Sequence, residues 1–403
     1  MRKYVQLGDI AKIYSGGTPS RTNAAYWGGN IPWVKTSIIQ NCVISEDHID
    51  EWITADGLKH SSTKMVPKGT ILMAMYGQGK TRGQVAILGL DATINQACAA
   101  IELGKESNRD FVYQQLLFRY NAVRALSNTG SQENLSAGLI REIEFPLPAY
   151  AEQTAIASIL TTWDLAIEMI VRLIATKVRR YLWLSRIYLF GEAAINANAV
   201  KKTKWFSVPD HWEIVKIGRI ASEVSVSNNS GENIPVLSCT KYDGLVDSLT
   251  YFDKQIFSMD TSTYKVVSRG QFAYATNHIE EGSIGKQGLY DKGLVSPMYT
   301  VFKTHENVDD SYLYKVFKSG VYLHIFRANT SASVDRRGSL RWKEFAKLPI
   351  PLPPISEQKR IAEVLNTALL EIDLLKKQAE AFRRQKCGLM QKLLTGAWRV
   401  RAG

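Results

Sequence analysis

Residues 73–83 read MAMYGQGKTRG, and the triplet Gly79-Lys80-Thr81 is the ending by which phosphate-cradling loops are recognised. Such a loop needs the pattern G-x-x-x-x-G-K-[ST] between a strand and a helix. Here Ala74 stands at the first glycine position, and the run that follows, Gly83-Gln-Val-Ala-Ile-Leu, reads as a strand. No helix N-terminus would then face a phosphate. The stretch is therefore expected to be a glycine-rich hairpin tip. Its Gln78, Lys80 and Arg82 have the chemistry to meet nucleic acid: Gln pairs bidentately with adenine and Arg with guanine, whereas Lys more often meets phosphate.

Other residues offer the same kind of chemistry. Lys35, Thr36 and Ser37 follow a Pro32-Trp33 turn, and residues 128–136 (NTGSQENLS) supply Ser131, Gln132 and Asn134. Further along, Asn277 and His278 with Lys286 occupy a second hairpin-like stretch, and residues 329–341 offer Ser333, Arg336 and Arg337. Trp33, Trp212 and Trp342 each flank an apolar strand-like run and are assigned to the core, not to base stacking. Arg179, Arg180, Arg383, Arg384 and Lys386 suit either a phosphate-facing surface or the charged outer side of a helix pair.

Catalytic and metal chemistry is poorly represented. Cys42, Cys98, Cys239 and Cys387 are far apart with no C-x-x-C pair, and the six histidines show no ligand spacing, so neither a disulfide framework nor a metal site is expected. No N-P-P-Y or D-P-P-Y element is present. Glu357-Gln358-Lys359 has a nuclease-like E-x-K order, but it falls at a predicted helix start, where a carboxylate favours the positive end of the macrodipole.

The elements that must position these residues are written twice. Adding 205 to the positions of residues 146–191 gives residues 351–396, and this ungapped overlay yields 15 identities in 46 positions. It preserves the P-L-P entry, the Glu152-Gln153 and Glu357-Gln358 pairs, and the closing Gly191 and Gly396. Each copy reads as one long helix of roughly 60 Å, entered through extended prolines and ended by a left-handed glycine. Ile156, Leu160, Trp163, Ile167, Ile170 and Ile174, continuing through Tyr181, Leu184 and Tyr188, follow the alternating four-three spacing of a coiled-coil seam. Ile361, Leu365, Ala368, Ile372, Leu375 and Ala379, then Phe382, Leu389 and Leu393, keep the same register. The natural partner of each stripe is the other.

Two segments of similar length and mixed β and α character alternate with these helices, and they echo each other. Residues 6–10 (QLGDI) resemble 216–220 (KIGRI), 66–69 (VPKG) resemble 267–270 (VSRG), and a helical stretch near 109–126 answers one near 309–327. The expected fold class is α+β: two mixed α/β globules alternating with two long helices that pair as an antiparallel coiled coil, an internal pseudo-twofold repeat. The boundaries read 1–148 globule, 149–191 helix, 192–204 linker, 205–350 globule, and 351–403 helix with tail.

With 403 residues the chain is too long for one core, and 50 Lys+Arg against 38 Asp+Glu give a net charge of +12, which suits an anionic partner. No run of about 18 uninterrupted apolar residues is present, and a cytoplasmic chain with no membrane partner is expected.

This arrangement resembles the specificity (S) subunit of type I restriction-modification enzymes. The likeness is carried by the two P-L-P-x-x-x-E-Q openings at Pro146 and Pro351, the L-G-D-I start at Leu7, and the closing LMQKLLTGAWRV of residues 389–400. It implies that each globule is a target recognition domain reading one half of a bipartite, asymmetric site in double-stranded DNA. It implies too that the helix pair sets the spacer and docks two modification (M) subunits, with restriction (R) subunits in the full complex. Adenine methylation, ATP hydrolysis and cleavage, with S-adenosylmethionine, ATP and Mg, would belong to those partners, leaving no cofactor and no catalytic residue in this chain. An assembly scaffold without sequence reading, or a stand-alone nucleic-acid-processing enzyme, are the alternatives.

Overall fold

The apolar runs of the first segment are continuous, not alternating, and a strand buried on both faces has that pattern. In the computed structural model, which describes residues 3–77, 79–126, 134–191, 200–229, 231–232, 234–330 and 338–400, the run at 71–74 lies inside a five-stranded sheet. Its order is Ala11–Ser15, Cys98–Leu103, Ile71–Ala74, Val85–Leu88, Val43–Ile44, antiparallel throughout except for the last pair. Side chains alternate across a strand, so Ile71 and Met73 join one cluster with Phe111, Val112 and Leu116 of the helix Arg109–Phe118, while Leu72 and Ala74 join another with Val34, Ile44 and Ile94.

The second segment repeats this plan in a four-stranded sheet ordered Ala221–Val224, Tyr299–Thr304, Phe272–Ala275, Ile284–Lys286. Phe272 and Tyr274 face Tyr312, Leu313 and Val316 of the helix Asp310–Phe317, and Ala273 and Val301 face the opposite cluster. Local signals recur with the topology. Gly69 and Gly270, each four residues into the V-P-K-G and V-S-R-G echoes, both adopt positive φ, at 90° and 86°. The accessory strands differ. The first segment adds Trp27–Val34 flanked by Trp52–Ile53 and Thr93–Ile94, and the second adds the separate pairs Leu237–Thr240 with Gly244–Asp247 and Lys265–Ser268 with Lys292–Val295.

Each proline entry is an edge strand. Glu144–Leu147 pairs with Lys3–Gln6, and Pro349–Leu352 pairs with Glu213–Lys216, in two-stranded ribbons where a missing proline N–H is tolerated. The chain then enters the helices Tyr150–Phe190 and Ile355–Leu394. Gly191 and Gly396 follow their ends with φ of 63° and 86°, the left-handed stop expected of them.

The chain divides into two compact units, residues 1–172 with 377–403, and residues 173–376. Both long helices therefore contribute to each. In the first unit Ile156 and Leu160 bury beside Met390, Leu393 and Leu394, Trp163 meets Phe382 edge to face at 5.4 Å, and Lys386 Nζ lies 2.6 Å from Asp164. In the second, Tyr181 and Leu184 pack with Ile361 and Leu365, and Lys177 Nζ lies 2.5 Å from Glu371. Burial follows the four-three stripe except at Tyr188, which is exposed. Ile156, Leu160, Ile361, Leu365, Ile372 and Ala379 are buried, and Trp163, Ile167, Ile170, Ile174, Ala368 and Leu375 are half-buried. Lys386, expected on an outer face, is instead buried in the stripe by its ion pair with Asp164, while Arg179, Arg180, Arg383 and Arg384 are exposed.

One further expectation is corrected. Pro32 and Trp33 lie within the strand Trp27–Val34, not in a turn, because Trp33 is buried against the sheet and its indole N–H binds the Gly17 carbonyl at 3.0 Å. Within the stretch read as linker, Val200–Lys202 pairs with Ser207–Pro209, and residues 192–199 lie outside the described residues.

Candidate nucleic-acid interface

The glycine-rich stretch is a hairpin tip. Ile71–Ala74 and Val85–Leu88 pair antiparallel on either side of it, and a strand, not a helix, follows Gly83, so no phosphate cradle forms. Lys80 is exposed, and its carbonyl accepts from the Tyr120 hydroxyl at 2.5 Å. Arg82 departs from the expectation of an outward side chain: it is 7% exposed, folded in beside the helix Tyr120–Ala125, whose Arg124 donates to the Arg82 carbonyl at 3.1 Å. The loop before the helix Ala137–Arg141 joins this end of the sheet, because the Leu135 amide donates to the Met75 carbonyl at 3.0 Å and leaves half-buried Asn134 next to it.

The second globule repeats that convergence. The Leu340 amide donates to the Thr276 carbonyl at 2.8 Å, so the hairpin bearing Asn277 and His278 and the loop before Trp342–Phe345 again share one end of the sheet. A cleft of about 440 Å³ opens there, lined by Asn277, His278, Glu280, Glu281, Arg327, Thr330 and Gly338. Arg124 and Arg327 were missed by sequence reading, since each sits within an ordinary amphipathic helix and only the fold brings it to the hairpin. Within this cleft, and among the described residues, the ligand atoms of His278, Glu280 and Glu281 form the one group with metal-like spacing, all within 4.8 Å of one another.

The remaining candidates stand apart. Lys286 ends its strand 2.9 Å from Asp310. Lys35, at the start of the 3-10 turn Thr36–Ile38, is held 2.9 Å from Asp50 and 2.7 Å from Glu51, and these bonds, Asp50's first, raise its pKa. Thr36 is half-buried and Ser37 exposed. Gln78, Ser131, Gln132, Ser333, Arg336 and Arg337 lie outside the described residues. Trp33 and Trp212 are buried as expected, and Trp342 is half-buried against Phe302 and Phe345.

The Glu-Gln pairs fix each globule to its long helix. Gln153, 1% exposed, accepts from the Asn108 amide at 2.8 Å and donates to the carbonyls of Pro148 at 2.9 Å and Glu106 at 3.3 Å. Gln358 repeats this on the Asp309 amide at 2.8 Å and the carbonyls of Pro353 at 2.8 Å and Asn307 at 3.3 Å. Asn108 and Asp309 are in turn the N-caps of the globule helices, accepting from Phe111 and Tyr312 at 3.0 and 2.9 Å. Glu152 accepts from Arg399 at 3.0 Å, and Glu357 from the Trp212 indole at 3.1 Å. The E-x-K order at Glu357 is thus accounted for by structure.

This two-fold construction matches a known family model. The model for the type I restriction modification DNA specificity domain matches residues 2–176 and again residues 209–381. The chain belongs to the type I restriction-modification specificity family. Among relatives of this specificity chain, the MjaIX specificity subunit of Methanocaldococcus jannaschii is 27% identical over 235 residues, covering 55% of this chain and 52% of the relative. The EcoR124I/EcoR124II specificity subunit of Escherichia coli is 29% identical over 164 residues, 39% of this chain and 40% of the relative. The chain thus spans about half or less of these two relatives. The MjaVIII specificity subunit of M. jannaschii aligns at 21% identity over 98% of this chain and 93% of its own. In fold, the specificity chain is similar to the crystal structure of an S subunit from M. genitalium, with a TM-score of 0.59 at 14% identity, covering 98% and 96% of the two chains.

Proposed function

We propose that this chain is the non-catalytic DNA-reading subunit of a type I restriction-modification assembly, with residues 1–148 and 205–350 each reading one half of a bipartite, asymmetric site. One observation carries the proposal: two globules with the same sheet order and the same glutamine attachment differ in their accessory strands and in the side chains at the converging loops. Equal attachment with unequal loops suits two readers of different sequences. Lys80 and Asn134 in the first, and Asn277, His278 and Arg327 in the second, are the side chains offered to DNA.

The contacts of Trp163 with Phe382 and of Lys177 with Glu371 support a continuous antiparallel coiled coil between the long helices, which would set the spacing between the half-sites. About 34 Å separates successive turns of duplex, within the roughly 60 Å length of such a helix. The helices also carry apolar side chains on the side away from the stripe, where charge is the norm. Leu165 and Met169 are 55% and 70% exposed, and their repeats Leu370 and Leu374 are 58% and 56% exposed. A second apolar face explains why Tyr150–Phe190 is long and apolar enough, by length and composition, to cross a membrane. One M subunit at each equivalent pair fits a duplicated surface, and the M and R subunits would bring adenine methylation, ATP hydrolysis, S-adenosylmethionine, ATP and Mg. The assembly would act on DNA in the cytoplasm.

The test is a domain exchange. Replacing residues 1–148 by the corresponding globule of another S subunit, then mapping methylated adenines, is expected to change one half of the modified sequence and leave the other. A change in both halves, or in neither, overturns the two-reader assignment.

A further inference from the structure

We propose that Arg21 reads a guanine within the half-site of the first globule, an inference that rests on that globule being a DNA reader. Residues 16–23 form a loop pinned by two indoles. Trp33 Nε1 donates to the Gly17 carbonyl at 3.0 Å and Trp27 Nε1 to the Ser20 carbonyl at 3.1 Å, and the two rings meet edge to face at 5.1 Å. Arg21 lies across this pair, its guanidinium carbon 3.7 Å from the Trp27 ring centroid and 4.8 Å from that of Trp33. Its Nη1 binds the Glu51 carboxylate, which Lys35 also holds, at 2.7 Å.

Stacking and ion pairing fix the guanidinium before any ligand arrives, which removes the ordering cost a free arginine would meet on binding. Its side chain nevertheless remains 52% exposed. The ligand class follows from the charges. Arg21 and Lys35 are balanced by Asp50 and Glu51 in one connected cluster. With Glu51 on the guanidinium and Asp50 on the neighbouring Lys35, the cluster carries no net charge; this disfavours a phosphate, so the preferred target is a neutral edge rich in acceptors. Guanine O6 and N7 in the major groove present that edge to arginine. Ser20 and Thr22, hydroxyls on the same loop bonded to each other at 2.8 Å, add uncharged hydrogen-bonding groups beside it. At the 210-residue offset that relates residues 6–10 to 216–220, the counterparts of residues 16–34 are residues 226–244, which contain neither arginine nor tryptophan, so the device belongs to one half-site.

The experiment assembles the full chain with its M subunits and sequences methylated products from a DNA library randomised over both half-sites. R21A and R21K are compared with the native chain, and thermal unfolding is recorded for each. R21K keeps the charge and the ion pair but loses the planar fork, so it serves if R21A unfolds. The expected result is a drop of about 10- to 100-fold in preference for guanine at a single position of one half-site, with the other half unchanged. A uniform loss on all sequences marks a phosphate or structural role and overturns the inference, as does unchanged preference in a folded R21K chain. If the native chain itself selects no sequence, it is the reader assignment that fails, and the inference with it.

Discussion

Replacing Gln153 by leucine removes two hydrogen bonds that tie the start of the first globule's helix to the long helix, and a third to the long helix's own entry at Pro148, at a site 1% exposed. A net hydrogen bond contributes about 1 kcal/mol, but a buried donor or acceptor left unmade costs about 1–3 kcal/mol. The Asn108 amide and the buried Pro148 carbonyl lose their partners, while the carbonyl of exposed Glu106 can find water. The loss is therefore about 3 kcal/mol, concentrated where Asn108 caps Arg109–Phe118. Hydrogen exchange followed by mass spectrometry over residues 104–118 reads this directly: about 3 kcal/mol of local stability corresponds to roughly 100-fold faster exchange. Gln153→Glu is expected to be no better, because a carboxylate can still accept from Asn108 but turns its second oxygen toward two carbonyls. Gln358→Leu should transfer the effect to residues 305–317 and spare 104–118. Exchange at 104–118 within about two-fold of the native chain in Gln153→Leu would refute the latch.

Burial lowers the pKa of Lys315, on the helix Asp310–Phe317, to about 8. The unfolded chain, with a lysine near 10.5, then binds more protons between those values, so the second unit should gain stability as pH rises from about 8 to 10.5. Lys315→Met should reduce that rise to the part carried by Lys318, whose pKa burial also lowers, and, below pH 8, stabilise the unit by about 1–2 kcal/mol after allowance for partial solvation; unfolding midpoints against pH decide it. Leu165→Asp with Met169→Asp should lower the number of M subunits retained per chain from two to one, as should Leu370→Asp with Leu374→Asp. Native mass spectrometry counts them, and unaltered unfolding midpoints show that the helices are intact.

The parts of the fold legible in the sequence were those with a period or a repeat. The four-three stripe marked the helix faces that bury, Gly191 and Gly396 marked where the helices stop, and the shared 205-residue offset made the two long helices one design. Side-chain destinations set by distant residues were not legible. Lys35 looked available because Asp50 and Glu51 lie fifteen and sixteen residues on and return only through the strand pair Trp27–Val34 with Trp52–Ile53. Arg82 looked like a hairpin-tip cation because the helix that covers it begins nearly forty residues later. The glutamines were visible as a motif, yet the amides they hold are 45 and 49 residues earlier. Arg21 passed unnoticed because nothing in a G-G-T-P-S-R-T-N loop announces the two indoles beneath it.

The division of the molecule bears on its birth at the ribosome. The first unit needs residues 377–394 to cover Ile156 and Leu160, and these leave the exit tunnel about 200 residues after the rest of that unit, a wait of roughly 10–40 s at ordinary elongation rates. The second unit is contiguous and can close first. During that interval the nascent amino-terminal globule trails an uncovered apolar helix, and a chaperone or an already folded partner that shields it would decide the yield of functional chain.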